Sequence, residues 1–352
     1  MSLEMCFIDS VCNRYYDQGT DVVYKHITSV LDARFSKQYI VKRINEIKEF
    51  RKVLEYLLTI PVIEQRSPEW HEVRGNLITA SDMGQALGVG KFGTVKGLYK
   101  KKSGYEEDKF NWAIPALIWG VKYEPIATKL YEKRQFTHIH DFGLILHPAF
   151  SFFGASPDGI TDNGIMLEIK CPHRRVIDGH IGDQYYYQMQ GQLEVANLEE
   201  CDFLEAGFHE YIDEYDFMLD WNDEKTFTID NNEKGIIIEF TNHPEHDYLY
   251  SVVGDDCETQ NNWLKNNEEV MEMYEHKVTY YKLKTYNLQK VYRNKSFFKS
   301  KIKDLEVVWN NILKYRDDKS AYDDAVSIVK RKPGIYTRKT KSSNTFAPDD
   351  ED

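Results

Sequence analysis

Between Ile40 and Leu58 apolar residues recur every three or four positions, at Ile40, Ile44, Ile47, Phe50, Leu54, Leu57 and Leu58, which marks one buried helical stripe. Pro61 ends that helix. The pattern then becomes mixed. Ser67-Pro68 starts a short helix with a cap and a proline at its first position. Ile78 to Ser81 leads into another, with Thr79 or Ser81 as its cap and Asp82 in its first turn. Trp112 to Arg134 reads as helical with a break near Glu124-Pro125, because a residue before proline avoids the helical region. Thr137 to Phe153, apolar and aromatic, reads as strands. Ile165 to Cys171 is mostly apolar between Asn163-Gly164 and Pro172, the pattern of a short buried strand. His180 to Ala196 returns to helical spacing through Tyr185, Met189, Gln192 and Leu193. Further strands are expected at Cys201 to Phe217 and Gly235 to Phe240. Helices are expected at Cys257 to Glu275 and Ile302 to Tyr315.

The chemistry concentrates around the Ile165 strand. The pattern E-x-K occurs four times, at Glu46, Glu107, Glu168 and Glu275, and only the copy at Glu168 lies in a buried strand flanked by a turn. Residues two apart on a strand share a face, so Glu168 and Lys170 point one way and Leu167 and Ile169 the other. If Asp162-Asn163-Gly164 is a three-residue hairpin loop with Gly164 left-handed, Thr161 pairs with Ile165 and Asp158 lies opposite Glu168. Facing carboxylates repel unless a positive charge sits between them, and a divalent cation beside Lys170 meets that need. A two-residue loop would instead set Asp158 opposite Ile169.

Net charge is 45 − 57 = −12, so contact with nucleic acid requires a local basic groove rather than a global field. With 24 Tyr and 18 Phe among 352 residues the chain is globular. Five cysteines without a C-x-x-C pair fit a reduced, intracellular compartment and exclude a zinc site of that type. No stretch approaches membrane-spanning length, and the expectation is a soluble protein.

Other residues extend the candidate site. Free backbone N–H groups at the helix start near Ser81, with Arg74 close in sequence, make an anion site. Taken alone, Ser81 is better read as a cap and Arg74 as a surface ion pair. Gly120 one turn before Glu124 leaves room for close approach to that acid. Gln188, Gln190 and Gln192 place amides on more than one side of their helix, where they can hold a metal-bound carboxylate, a water or a phosphate. Two basic stretches carry aromatics, Lys91 to Lys102 with Phe92 and Tyr99, and Arg293 to Lys303 with Phe297 and Phe298. Lys330-Arg331-Lys332-Pro333 has the form of a nuclear signal or a solvated tail.

Five patterns follow one another in order: EWHEVRGNLITAS (Glu69 to Ser81), GVKYEP (Gly120 to Pro125), SPDG (Ser156 to Gly159), EIKCP (Glu168 to Pro172) and YYYQMQGQL (Tyr185 to Leu193). The set resembles the lambda-exonuclease and YqaJ-type viral recombinase nucleases of the PD-(D/E)xK superfamily. The resemblance implies an α/β (α+β) fold with a central mixed β-sheet flanked by helices and a restriction-endonuclease-like core over residues 63–255. Residues 1–62 are then a helical extension, 256–335 a helical C-terminal region packed on the core, and 336–352 a disordered charged tail.

It further implies Asp158, Glu168 and Glu124 as metal-binding acids, Lys170 as the catalytic lysine, and Gln190, with Gln188, as the glutamine motif near them. Arg74, Ser81 and Ser156 match positions that hold a terminal 5′-phosphate. The implied activity is a Mg²⁺-dependent deoxyribonuclease, with Mn²⁺ able to substitute. It would degrade linear double-stranded DNA ends 5′ to 3′ and leave 3′ single-stranded tails for viral or phage-type recombination and repair. A single-strand annealing protein and a homo-oligomer are the implied partners, and the host cytoplasm or nucleus the location. Some relatives carry another acid before SPDG; here GLILHPAFSFFGA has His147 and none, a departure that bears on a second metal. The rival readings are a structure-specific endonuclease of the same fold and a catalytically silent DNA-binding recombination scaffold.

Overall fold

The computed structural model describes residues 3–31, 36–65, 67–91, 93–106, 114–243 and 247–327. Phe92, Trp112, Glu107, the 330–333 motif and the expected tail at 336–352 lie outside the described residues.

The turn at Asn163-Gly164 sets the centre of the molecule. Gly164 has φ 72°, a left-handed conformation that glycine adopts without penalty. The Thr161 N–H donates to Ile165 O at 2.9 Å and the Gly164 N–H to Thr161 O at 2.8 Å, which closes the three-residue loop. Among the described residues the strands in chain order are β1 (Ile78–Thr79), β2 (Ile139–His140), β3 (Ile145–Leu146), β4 (Phe153–Ala155), β5 (Gly159–Thr161), β6 (Met166–Lys170), β7 (Glu200–Glu210), β8 (Lys234–Phe240), β9 (Tyr248–Tyr250) and β10 (His276–Tyr292). The β5–β6 register pairs Gly159 with Leu167 and Ile160 with Met166, so Asp158 falls opposite Glu168.

Pro157 explains where that ladder stops. Hydrogen-bonded pairs alternate along an antiparallel ladder, and the pair after Gly159–Leu167 would be Pro157 with Ile169. Proline has no N–H to give. The Ile169 N–H donates instead to Asp158 Oδ2 at 2.7 Å, so the end of the ladder orients the acid.

A seven-stranded sheet runs β2-β5-β6-β7-β10-β8-β9, and a second, three-stranded sheet runs β1-β4-β3. The larger sheet is mixed, because β6 and β7 are parallel while its other pairs are antiparallel. Helices cover both faces, in agreement with the expected architecture. Among the described residues the first helices are α1 (Leu3–Arg14), α2 (Thr20–Thr28) and α3 (Lys37–Leu57). Ile40, Ile44, Ile47, Leu54 and Leu57 on α3 are buried as their spacing predicts, whereas Leu58 is exposed. This layer grips the central turn. Asn163 donates to Asp9 O at 2.7 Å, Ile165 packs among Ile8, Ile44 and Ile47, and buried Arg43 bonds both Asp9 and Glu200.

Next come α4 (Pro68–Gly75), α5 (Met83–Ala86), α6 (Val95–Lys102), α7 (Pro115–Gln135) and α8 (Asp183–Val195). The break expected at Glu124-Pro125 is absent, because α7 continues through Pro125 for 21 residues. An interior proline costs roughly 3 kcal/mol and one bond to the carbonyl four residues back. Burial of Tyr123, Ile126, Ala127, Leu130 and Tyr131 against the sheet outweighs it, at about 1.5–3 kcal/mol for each large side chain.

The largest departure from expectation is β10. Residues 276–292 fall in the region expected to be helical, yet they form the longest described strand and lie between β7 and β8. HKVTYYKLKTYNLQKVY is rich in aromatic and β-branched residues that suit a pleated surface. The division at 255 therefore cuts through the sheet. Helices α9 (Glu214–Leu219), α10 (Cys257–Asn266) and α11 (Glu268–Met273) pack around the far strands. Phe217, expected in a strand, is buried on α9. Finally α12 (Lys295–Asp317) buries Phe298, Leu305, Val308 and Ile312 against the α8 side, followed by α13 (Lys319–Ser327). No described helix is long and apolar enough to cross a membrane.

Candidate active site

Strand β6 is sandwiched between α7 and α8, which assigns its two faces. Leu167 and Ile169 join the cluster under α7, while Met166 joins the one under α8. Glu168 shares the α8 face and has no solvent exposure. A bare carboxylate there would be costly, and its oxygens are satisfied by three side chains. The Lys170 ammonium and Gln188 Nε2, the latter at 2.7 Å, donate to Glu168 Oε1. Gln192 Nε2 donates to Oε2 at 2.7 Å and reaches Ser156 O at 3.3 Å.

Gln190, named above with the catalytic set, does not join this cluster. Residues 188 and 192 are four apart and share one helix face, whereas 190 lies about 200° away from 188. Its Nε2 donates to Tyr292 O at 2.9 Å and its Oε1 accepts from the Asn294 N–H at 2.6 Å. Gln192 takes the position beside the acid, and its i,i+4 spacing from Gln188 was the signal in the sequence.

The charges in the cluster act on one another. Burial, then the Glu168 carboxylate, pushes the Asp158 carboxyl well above the usual range, and Glu124 adds to the shift. Burial pulls the Lys170 ammonium down, but Glu168 and Asp158 outweigh it and hold the lysine protonated above its ordinary value. Glu124 acts on both from α7, and lines a cleft of about 930 Å³ together with Lys170, Arg175 and Tyr185. Ile114 and Leu117 form an apolar wall of the cleft.

The anion-binding candidates meet beside it. Arg74 Nη2 donates to Ser81 Oγ at 3.0 Å. The guanidinium lies 4.7 Å from the centre of the Trp70 ring, and Trp70 Nε1 donates to Ser156 Oγ at 3.3 Å. Arg74, Ser81 and Ser156 are thus one contiguous group, linked by a tryptophan that sequence reasoning passed over. Trp70 and Arg74 stand four apart on α4, the spacing of helix neighbours. Beneath them the Thr79 N–H and hydroxyl both donate to Asp82, and buried Lys102 pairs with Asp82 at 3.1 Å and donates to Arg74 O at 2.7 Å. Lys102 is therefore an anchor for this corner and not part of a solvent-facing basic helix. His147 faces the core, where its Nδ1 accepts from the Ala149 and Phe150 N–H groups and its ring stacks on Phe298.

Residues 69–199, which carry Arg74, Ser81, Glu124, Ser156, Asp158, Glu168, Lys170, Gln188 and Gln192, match the family model of the YqaJ-like viral recombinase domain. Over this segment the chain is similar to that family. The YqaJ-like segment ends before β10, so the sheet that supports its site is completed by residues outside the match. An uncharacterized protein of Acanthamoeba polyphaga mimivirus is 28% identical over 328 residues, covering 79% of this chain. The chain spans 58% of the length of that relative. Among solved structures, an alkaline exonuclease from Laribacter hongkongensis is similar with TM-score 0.45 and 17% identity, covering 74% of this chain and all of that one. A phage-related exonuclease from Haemophilus somnus has TM-score 0.36 and 11% identity, covering 72% of this chain and 96% of the other.

The YqaJ-like site offers hard oxygen donors suited to a divalent cation. Among the described residues no group of three or more His, Cys, Asp or Glu side chains converges into a ready-made cage. Asp158 and Glu168 form a facing pair with Glu124 in electrostatic range, and Mg²⁺ binds through one or two carboxylates plus water and substrate oxygens. Gln192 Oε1 is buried beside them without a hydrogen-bond donor, as an acceptor for a cation-bound water would be. The donor set fits such an ion.

Proposed function

We propose that this chain is a divalent-cation-dependent deoxyribonuclease that degrades linear double-stranded DNA from its ends, 5′ to 3′. It leaves 3′ single-stranded tails that serve recombination and repair through an annealing partner. The observation that carries this reading is the fully buried Glu168, held by Lys170, Gln188 and Gln192 opposite an Asp158 whose carboxyl is pushed up. A structural ion pair would not need a second facing acid at a cleft. The similarity of residues 69–199 to the YqaJ-like viral recombinase domain supports a DNA substrate.

Asp158, Glu168 and Glu124 would hold Mg²⁺, or Mn²⁺ in its place; when bound, the ion supplies Lewis-acid polarisation of the phosphoryl oxygen and a more acidic water. The chain's own groups do the rest. Gln188 and Gln192 keep the Glu168 carboxylate in one orientation, and the Ile169 N–H does the same for Asp158. Lys170, kept protonated by its acids, orients the attacking water and offsets charge that grows on the phosphate. Arg74, Ser81 and Ser156 hold the 5′-phosphate of the end, with Trp70 fixing the guanidinium and Ser156 relative to each other.

The test compares end-labelled linear duplex with 5′-phosphate, linear duplex with 5′-hydroxyl, and a closed circle, each with Mg²⁺, Mn²⁺ or Ca²⁺. Rapid digestion of the 5′-phosphorylated duplex in Mg²⁺ is expected. Glu168→Ala and Lys170→Ala should lower it by roughly 10³-fold or more while DNA is still bound. Equal digestion of all three substrates rejects the end pocket, and near-normal cleavage by either variant rejects the catalytic assignment.

A further inference from the structure

The basic, aromatic stretch from Arg293 to Lys303 has no task in the chemistry above, yet the fold places it against the helix that serves the site. It holds five cations and no acid in a chain of net charge −12. Two of the five are occupied structurally: Arg293 pairs with Glu194 at 2.8 Å and Lys295 with Glu199 at 2.8 Å. Lys299, Lys301 and Lys303 have no carboxylate partner among the described residues. Lys299 and Lys303 are exposed, four apart on the solvent side of α12. Lys301 leans toward α8, with its ammonium 5.8 Å from the Phe297 ring and 5.9 Å from the Tyr187 ring. Tyr186 and Tyr187 meet Phe297 edge-on at 5.2 and 4.8 Å, and all three rings are only half-buried.

Gln190 ties this cluster to α8. Its buried amide bonds Tyr292 O and the Asn294 N–H, and so clamps the start of α12 onto α8. The opposite face of α8 presents Gln188 and Gln192 to Glu168. One helix, about 10 Å across, therefore separates the acid cluster from a platform of cations and rings.

We propose that this platform, formed by Tyr186, Tyr187, Phe297, Lys299, Lys301 and Lys303, binds single-stranded DNA, namely the strand that survives digestion. Rings at the surface offer stacking faces to unpaired bases, which a duplex keeps stacked inside, and the lysines neutralise the backbone. The proposal rests on the exonuclease reading for the origin of that strand, but binding itself is measured without hydrolysis.

The experiment uses the full chain and a fluorescein-labelled oligo(dT) of about 30 nucleotides, with anisotropy read in Ca²⁺ across a salt series. Lys299→Gln/Lys301→Gln/Lys303→Gln should weaken binding about tenfold or more and flatten the salt slope by roughly 2, at about 0.7 per released counterion. Phe297→Leu, which keeps apolar bulk and removes the ring, should weaken oligo(dT) with little change in salt slope. Both variants should hydrolyse a short 5′-phosphorylated duplex within about twofold of the parent rate. Unchanged oligo(dT) binding overturns the proposal, as does an equal loss of duplex and single-strand affinity. A parent protein that binds oligo(dT) but digests no duplex would instead overturn the nuclease reading.

Discussion

Two glutamines two positions apart have opposite duties, and the difference is measurable. Gln192 donates to Glu168 Oε2, and carboxylate partners of this kind are typically worth ten- to a hundredfold in cation affinity or activity. Gln192→Ala is expected to lower duplex hydrolysis by about that factor and to raise the Mg²⁺ concentration needed for half-maximal rate. Gln190→Ala leaves Tyr292 O and the Asn294 N–H without their partner, a loss of about 1–3 kcal/mol that a urea midpoint reads. Its initial rate on a short duplex should stay within about threefold of the parent. If Gln190→Ala stops hydrolysis in a fully folded protein, the assignment of the two residues is reversed. The motif YYYQMQGQL shows which amides are available; the side of the helix that each occupies depends on how α8 is rotated against β6, and that is set by Met189 and Leu193 packing under the sheet.

At the scale of elements, the hairpin from Asp158 to Lys170 was legible because its determinants are local. Gly164 permits the left-handed turn, Pro157 ends the ladder, and period-2 alternation then assigns every side chain to a face. The turn is also where the N-terminal layer attaches. A Cβ at Gly164 would stand 2.4 Å from the Phe50 carbonyl oxygen of α3. Gly164→Ala should therefore lose more than the roughly 1–2 kcal/mol of a left-handed alanine, since α3 must also retreat. A fall in urea midpoint with an activity loss is expected; a variant as stable as the parent would mean that the layer does not bear on the turn. Helix α7 illustrates the opposite case. Its proline predicted an interruption from local rules, and burial of five side chains over the sheet overrode them.

For the whole molecule, β10 decides what can stand alone. It pairs with β7 over eleven positions and with β8 over seven, so residues 200–210 and 234–240 share no sheet without it. A chain ending at residue 255 keeps every candidate catalytic residue and loses the middle of the sheet. Such a chain is expected to lack a cooperative unfolding transition and nuclease activity, which far-UV circular dichroism on heating and the end-labelled assay would show together. The charge distribution belongs to this scale too. With net −12, the cations that could meet DNA are confined to patches, and Lys102 of the first basic stretch is instead an interior anchor for Asp82.

The amino-acid sequence by itself determined the hairpin and the cap at Ser67, narrowed the next cap to Thr79 or Ser81, and made the facing of Asp158 toward Glu168 depend on a three-residue loop, which the fold then shows. These follow from backbone conformations and hydrogen bonds within a few residues of one another. Only the tertiary structure decided that Gln192 rather than Gln190 reaches Glu168, that Trp70 joins Arg74 to Ser156, and that residues 276–292 complete the sheet. Each of those depends on which distant surface a segment packs against, and the free energy that settles it comes from burial between elements far apart in the chain.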